Sequence, residues 1–223
     1  MDVFLDEFFN AEVMLKYLPD IIDGFWVTLW LAFLVVISGL TIGLALALLR
    51  AYQNPFVNAG IILFVDLFRA LPPLVIIIVG FFGLPFVGIR LSGFLISWLS
   101  LTCVLAAFTE EIYWAGITSV NKGQWEAARS TGLGFGGTLC FVVIPQAIRM
   151  TIPPLTNRTI AITKNTALAS VVAVPEMLTV AQTSLAYAAN TSPLTLAAAG
   201  YLLIFFPLTM LSRWIETRFA WKR

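Results

Sequence analysis

The sequence predicts an all-α membrane protein with about five transmembrane helices, its N-terminus outside and its C-terminus in the cytoplasm. Three observations carry that prediction. Of 223 residues, 60% are hydrophobic and only 11% charged, with a mean hydropathy of +0.93, whereas a soluble domain carries about twice that charged fraction. Uncharged runs long enough to cross a bilayer recur along the chain. Acids gather near the N-terminus and bases near the C-terminus.

The same composition excludes several functions. Thirteen bases against 12 acids leave a net charge of +1, so no basic field exists to hold nucleic acid. Histidine is absent, which removes the usual general base, the commonest zinc ligand and any imidazole-activated nucleophile. Cys103 and Cys140 lie apart in apolar stretches and read as core residues, with no disulfide framework and no metal site. Intramembrane hydrolase chemistry is thereby disfavoured, and no metal is expected.

Residues 1–23 carry six acids and one base, Lys16. A secretory signal starts basic, so this stretch reads as an extracytoplasmic N-terminal segment and the run after it as a retained span. That first span, 24–49, is uncharged between Asp23 and Arg50, and a crossing needs about 20 apolar residues. The second, 56–82, follows Asn54-Pro55 and contains Asp66, Arg69 and Pro72-Pro73; Gly83, Pro85 and Gly88 mark the turn after it. The third, 94–118, carries Glu110 and Glu111 in its last third. The fourth, 148–170, contains Pro153, Pro154, Arg158 and Lys164, and the fifth, 193–212, ends at Arg213.

Residues 130–148 are also uncharged, but Gly132, Gly134, Gly136, Gly137 and Pro145 make them a poor continuous helix. They read as part of a cytoplasmic connection over 119–146, inside a single transmembrane domain covering 24–223. Five spans then place Arg50, Lys122, Arg129, Arg149, Arg213, Arg218, Lys222 and Arg223 in the cytoplasm, and only Lys16 and Arg90 outside. Arg69, Arg158 and Lys164 remain at membrane depth.

Within the connection, Asn121 is placed to cap a short helix, Glu126 is expected in its first turns, and Gly132 suits the position after its end. Ala127 and Ala128 leave one face nearly bare, fit to lie in a partner's groove. Glu126-Ala127-Ala128, then Gly132 after three residues, then Val142-Val143-Ile144-Pro145 after nine more, resembles the EAA signature of ABC importer permeases. Nearly the whole chain is similar to the polar amino acid branch, the histidine and glutamine type permeases. The resemblance runs through Arg69-Ala70-Leu71-Pro72-Pro73-Leu74-Val75, Lys122-Gly123-Gln124-Trp125, Ile144-Pro145-Gln146-Ala147, and Pro153-Pro154-Leu155 followed by Asn157, Lys164, Thr166, Leu168 and Ser170. Two departures touch charge at membrane depth. Trp114 stands where the family often has arginine, and Arg158 where it often has glutamate.

The resemblance implies a type I ABC importer permease fold in a bacterial cytoplasmic (inner) membrane. It implies a second permease copy or paralogue, two ATPase subunits, a soluble substrate-binding protein and surrounding membrane lipid as partners. None of the four lysines follows a glycine, so this chain has no Gly-x-x-x-x-Gly-Lys phosphate loop. ATP and Mg are therefore assigned to the separate ATPase, and no cofactor to this chain. Gln124, Trp125, Glu126, Ala127, Ala128, Gly132 and Pro145 become the candidate ATPase-coupling residues. A secondary carrier would want an internal repeat and a full pathway in one chain, and five spans without a visible repeat argue against it; a membrane scaffold or assembly factor with no transport is the third reading.

Charges at membrane depth are expensive and face a cavity or a partner. Asp66 and Arg69 are spaced i, i+3 and are expected to pair with each other. Glu110 and Glu111 are expected to snorkel toward the cytoplasm, with one at most, Glu111, on the pathway. The fourth span offers the candidate pathway: Asn157, Arg158, Ala161, Lys164 and Asn165 form one polar strip at helical spacing, with Thr166 beside it. Arg69 and Glu111 complete the candidate set. Because Arg158 would repel a cationic side chain, the expected substrate is a zwitterionic, acidic or amide amino acid, or a close derivative, rather than arginine or lysine.

Overall fold

The structure, a computed structural model, describes residues 2–219. Among them are ten α-helices: α1 (Asp2–Phe9), α2 (Ala11–Ala51), α3 (Pro55–Ala70), α4 (Pro73–Gly83), α5 (Gly93–Ser119), α6 (Lys122–Ser130), α7 (Phe135–Thr138), α8 (Ile144–Thr163), α9 (Met177–Ala188) and α10 (Ser192–Phe219). Four helical runs are long and apolar enough to cross a membrane, Asp2–Ala51, Gly93–Ser119, Phe135–Val172 and Ser192–Arg218. A fifth candidate is a bent pair, α3 and α4 with the turn after it, whose two halves meet at 102°. The cause is local. Pro72 sits in an extended conformation with no N–H to offer, and it holds Leu71 out of the helical region as well.

The centre of the fold is the packing of α2 on α5. Along α2 the buried stripe is Leu31, Val35, Gly39, Gly43, Ala47 and Ala51, small at every fourth position in its second half. Gly43 is required there, because a Cβ would strike the Thr109 hydroxyl, which donates to the Gly39 carbonyl at 3.1 Å. Such close approach replaces the hydrophobic drive that lipid cannot supply. Leu31, Val35, Leu101, Val104 and Leu105 form the main core, joined by Ile77 of α4 and Ile162 of α8. The opposite face of α2 carries Trp26, Trp30, Phe33 and Ile37, all more than half exposed and suited to lipid.

Two features depart from the sequence reading. Residues 130–148 do not stay a loop: α7 passes through a π-helical turn (Leu139–Val143) into α8, which continues as a 3-10 helix (Lys164–Val172), one run of 38 residues. Burial of Leu139, Val143 and Ala147 against Ala47, Ile117 and Val120 outweighs the poor propensity of Gly136 and Gly137. Only residues 120–134 remain as the connection, built around α6. The second feature is α9, which the sequence reading left unassigned. Glu176, fully buried, caps it by accepting from the Leu178 and Thr179 amides at 3.0 and 2.7 Å, and accepts from the Tyr201 hydroxyl at 2.6 Å. The Met177 amide donates to Thr28 at 3.1 Å. That knot ties α9 to α2 and α10.

Arg50 and Glu110 also differ from expectation. Arg50, expected to face the cytoplasm at the end of the first span, sits in the last turn of α2 and donates to both oxygens of Glu110, at 3.0 and 3.2 Å, while its guanidinium covers Trp114 at 4.9 Å. Glu110 does not snorkel; it is fully buried. Removing one partner of a buried pair costs about 3–5 kcal/mol, whereas replacing both with apolar groups costs little. Arg50→Leu is therefore expected to lower the melting temperature of the detergent-purified protein sharply, and Arg50→Leu/Glu110→Leu to restore most of it. Equal melting of the two variants would contradict this.

Candidate functional site

The short helix α6 projects from the helical bundle between α5 and α7. The Asn121 side chain caps it by accepting from the Gly123 amide at 2.8 Å. After Thr131 the chain reverses at Gly132 with φ +91°, a conformation that side chains with a Cβ rarely adopt. Trp125 stacks on Phe135 at 5.6 Å, and Phe135 meets Tyr52 at 5.2 Å, which docks the inner face of α6 on α2 and α7. Gln124 accepts from Gln146 at 3.4 Å, bridging α6 to α8, and Pro145 follows directly on the π-helical turn, inside the continuous run Phe135–Val172.

Two of the expected coupling residues sit differently from the sequence reading. Glu126 is the fifth residue of α6, past the first turn where the helix dipole would favour its carboxylate, and it is exposed. Ala128 is buried against the protein itself, leaving Ala127 as the bare outer position. The exposed residues of α6 are Lys122, Gly123, Gln124, Glu126, Ala127, Arg129 and Ser130.

The expected pathway residues divide into two groups. Arg69 pairs with Glu111 of α5 at 2.5 Å and not with Asp66, which is exposed; its last-turn position on α3 points it across to α5 instead of along its own helix. Its guanidinium also lies 5.4 Å from the Phe108 ring, and Arg158 covers the same ring at 3.8 Å. Phe108 thus collects Arg69, Glu111 and Arg158, a role invisible in a sequence where it reads as one more apolar span residue.

Asn157, Ala161 and Lys164 form the second group, on an adjacent face of α8. Asn157 donates to Glu216 at 2.6 Å and accepts from Ser212 at 2.7 Å, and these residues with Thr209 and Arg213 of α10 line a cavity of about 300 Å³. Lys164 lies 5.9 Å over the Phe205 ring. Neither Arg158 nor Lys164 comes within 4.0 Å of a carboxylate among the described residues. Asn165 is half-buried, and Thr166 is buried, its hydroxyl spent on the Thr163 carbonyl at 2.8 Å. The helix narrows to 3-10 geometry at Lys164, which turns Thr166 inward, so it does not belong to the exposed strip.

A second cavity, of about 840 Å³, continues along the same face of α8. It is bounded by Gln146, Arg149, Pro153 and Pro154, with Gln124 of α6 and Arg218 of α10. From Gln146 to Lys164 this face runs about 27 Å at ~1.5 Å per residue. Gln146, Arg149, Asn157 and Lys164 are its polar and charged groups, with Met150, Pro153, Pro154 and Ala161 between them.

Comparison with known proteins gives concordant matches. Residues 39–221 match the family described as binding-protein-dependent transport system inner membrane component. The probable glutamine ABC transporter permease protein GlnP of Bacillus subtilis is 38% identical over 207 residues, 91% of this chain and 95% of the relative. The glutamate transport system permease protein GluC of Corynebacterium glutamicum is 30% identical over 219 residues, 92% and 96%. A chain from the crystal structure of an amino acid ABC transporter with histidines superposes with a TM-score of 0.83 at 30% identity, covering 92% of this chain and 96% of its own.

Gly132 allows a local test. A β-branched residue at a left-handed position costs about 1–2 kcal/mol, so Gly132→Val is expected to speed amide hydrogen exchange across residues 122–135 about tenfold while the spanning helices keep their protection. Unchanged exchange in that segment would contradict the assigned turn.

Proposed function

The chain belongs to the family of binding-protein-dependent transport system inner membrane components, and from that premise we propose that it is the membrane subunit of an ATP-driven amino acid importer. It sits in the bacterial cytoplasmic membrane with α1 outside and α6 inside. It pairs with a second permease copy or paralogue, rests on two ATPase subunits, and receives substrate from a soluble binding protein. ATP is hydrolysed in the ATPase. The capped helix α6 transmits the resulting motion, with Glu126 and Ala127 entering a groove of that partner and the Trp125–Phe135–Tyr52 stack passing its displacement to α2 and α7.

The observation that carries the substrate reading is the pair of cations at membrane depth without carboxylate partners, Arg158 and Lys164. An unpaired charge there is costly unless it faces a polar path or a counter-charge. Arg158 has lost part of that cost to the Phe108 face, yet its N–H groups stay free to grip a carboxylate in two parallel bonds. Lys164 supplies a compact charge further along α8. Arg69 is already engaged by Glu111, so the pair shapes the path and leaves substrate contact to α8. Both free groups are cationic, which favours a zwitterionic, acidic or amide substrate over arginine or lysine.

The test is uptake into proteoliposomes holding the complete complex. Wild type is expected to take up glutamine or another non-basic amino acid from a competition panel. Arg158→Glu should lower that uptake at least tenfold and shift preference toward basic amino acids. Glu126→Lys should insert normally yet lose both uptake and stimulated ATPase activity. A wild-type preference for arginine or lysine, or an unchanged profile in Arg158→Glu, would overturn the substrate reading, and normal uptake by Glu126→Lys would overturn the coupling assignment.

A further inference from the structure

The larger cavity on the α8 face carries two cations to which the substrate reading gives no role. Arg149 of α8 and Arg218 of α10, far apart in sequence, converge on it; no acid lines it, and neither arginine has an ion-pair partner among the described residues. Pro153 and Pro154 form part of the same wall. Having no N–H, they deprive the carbonyls of Arg149 and Met150, four residues back, of their helical donors. Both of these residues also line the cavity. The space is therefore lined by two arginines and by the two residues whose carbonyl oxygens lose their helical donors.

We propose that this cavity is a second binding site, at the cytoplasmic mouth, for the α-carboxylate and α-ammonium of an imported amino acid. The inference rests on the transport reading and adds a regulatory site to it. The arginines hold the carboxylate through charge-assisted hydrogen bonds, and the released carbonyls of Arg149 and Met150 accept from the ammonium. Continuity decides for a small zwitterion over a lipid headgroup or an acidic segment of the ATPase. The cavity lies on the same face of α8 as Asn157, Ala161 and Lys164, so molecules leaving the membrane-depth strip reach it next.

The site also touches α6. Asn121, its cap, and Gln124, which bridges to Gln146, line the cavity beside Arg149. An amino acid seated there ties α6 to α8 and α10. If α6 must move for each transport cycle, occupancy slows the cycle. Accumulated product then restrains its own import, with half-inhibition set by the affinity of this site and not by that of the external binding protein.

The experiment loads proteoliposomes holding the complete complex, with ATP inside, with L-glutamine or the amino acid selected by the uptake panel. Matched vesicles are loaded with the corresponding decarboxylated amine, 4-aminobutanamide for glutamine. Initial uptake of the labelled amino acid is then followed. Wild type is expected to slow at least fivefold with the loaded amino acid and less than twofold with the amine. Arg149→Gln/Arg218→Gln should import into empty vesicles within twofold of wild type and lose the inhibition. Inhibition that is absent in wild type, equal with the amine, or unchanged in the variant would overturn the proposal. Loss of ATPase subunits on co-purification of the variant would overturn it too, by assigning the arginines to that partner. Absence of wild-type uptake into empty vesicles is a separate outcome and marks failure of the transport reading itself.

Discussion

A charge held at membrane depth must be paired, stacked on an aromatic face, or kept away from lipid, and the arrangement of this chain follows from that constraint. Arg50 and Glu110 satisfy it by burial together, with Trp114 covering the guanidinium. Arg69 and Glu111 satisfy it across the α3–α5 contact, next to the bend at Pro72. Arg158 has Phe108 but no carboxylate, and Lys164 has Phe205 at a longer distance. The first two pairs hold the bundle together. In the proposed function the last two cations mark the face turned away from lipid.

The same constraint separates the two sides of the molecule. Trp26, Trp30, Phe33 and Ile37 give α2 an apolar exterior, whereas α8 and α10 present Asn157, Lys164, Arg213 and Glu216 in a shallow cavity. In the proposed function that polar side meets the second permease copy and the path between them. The helix that would carry motion from the ATPase is joined to this side through Gln124 and Gln146 and to the apolar side through Trp125, Phe135 and Tyr52. A displacement of α6 thus acts on both walls at once.

The membrane class and most span positions were legible because they depend on composition and run length alone. Gly132 was legible too, since a glycine just past a capped helix has few other uses. Pairing was not. Asp66 and Arg69 have the spacing of a helical ion pair, but the carboxylate that claims Arg69 comes from α5, and no local pattern announces it. Residues 135–143 read as a loop because glycine weakens helices locally, while the burial that rescues them comes from α2 and α5. The short α9 escaped notice because its fixing residue, Glu176, finds partners on α9 and α10 only after folding. Thr166, drawn beside the strip by the family resemblance, is buried in the 3-10 segment with its hydroxyl bonded to Thr163.

The central claim is that the α8/α10 face is turned away from lipid in the assembled transporter. It is tested most directly by electron paramagnetic resonance on spin labels in reconstituted complex, with Cys103 and Cys140 replaced. One label is placed at Ala161→Cys on the polar strip and the other at Leu203→Cys on the apolar side of α10, where the residue is 69% exposed in the single chain. Relaxation by membrane-dissolved oxygen should be several-fold weaker at position 161 than at position 203. Equal oxygen accessibility at the two positions would mean that the strip faces lipid and would contradict the account.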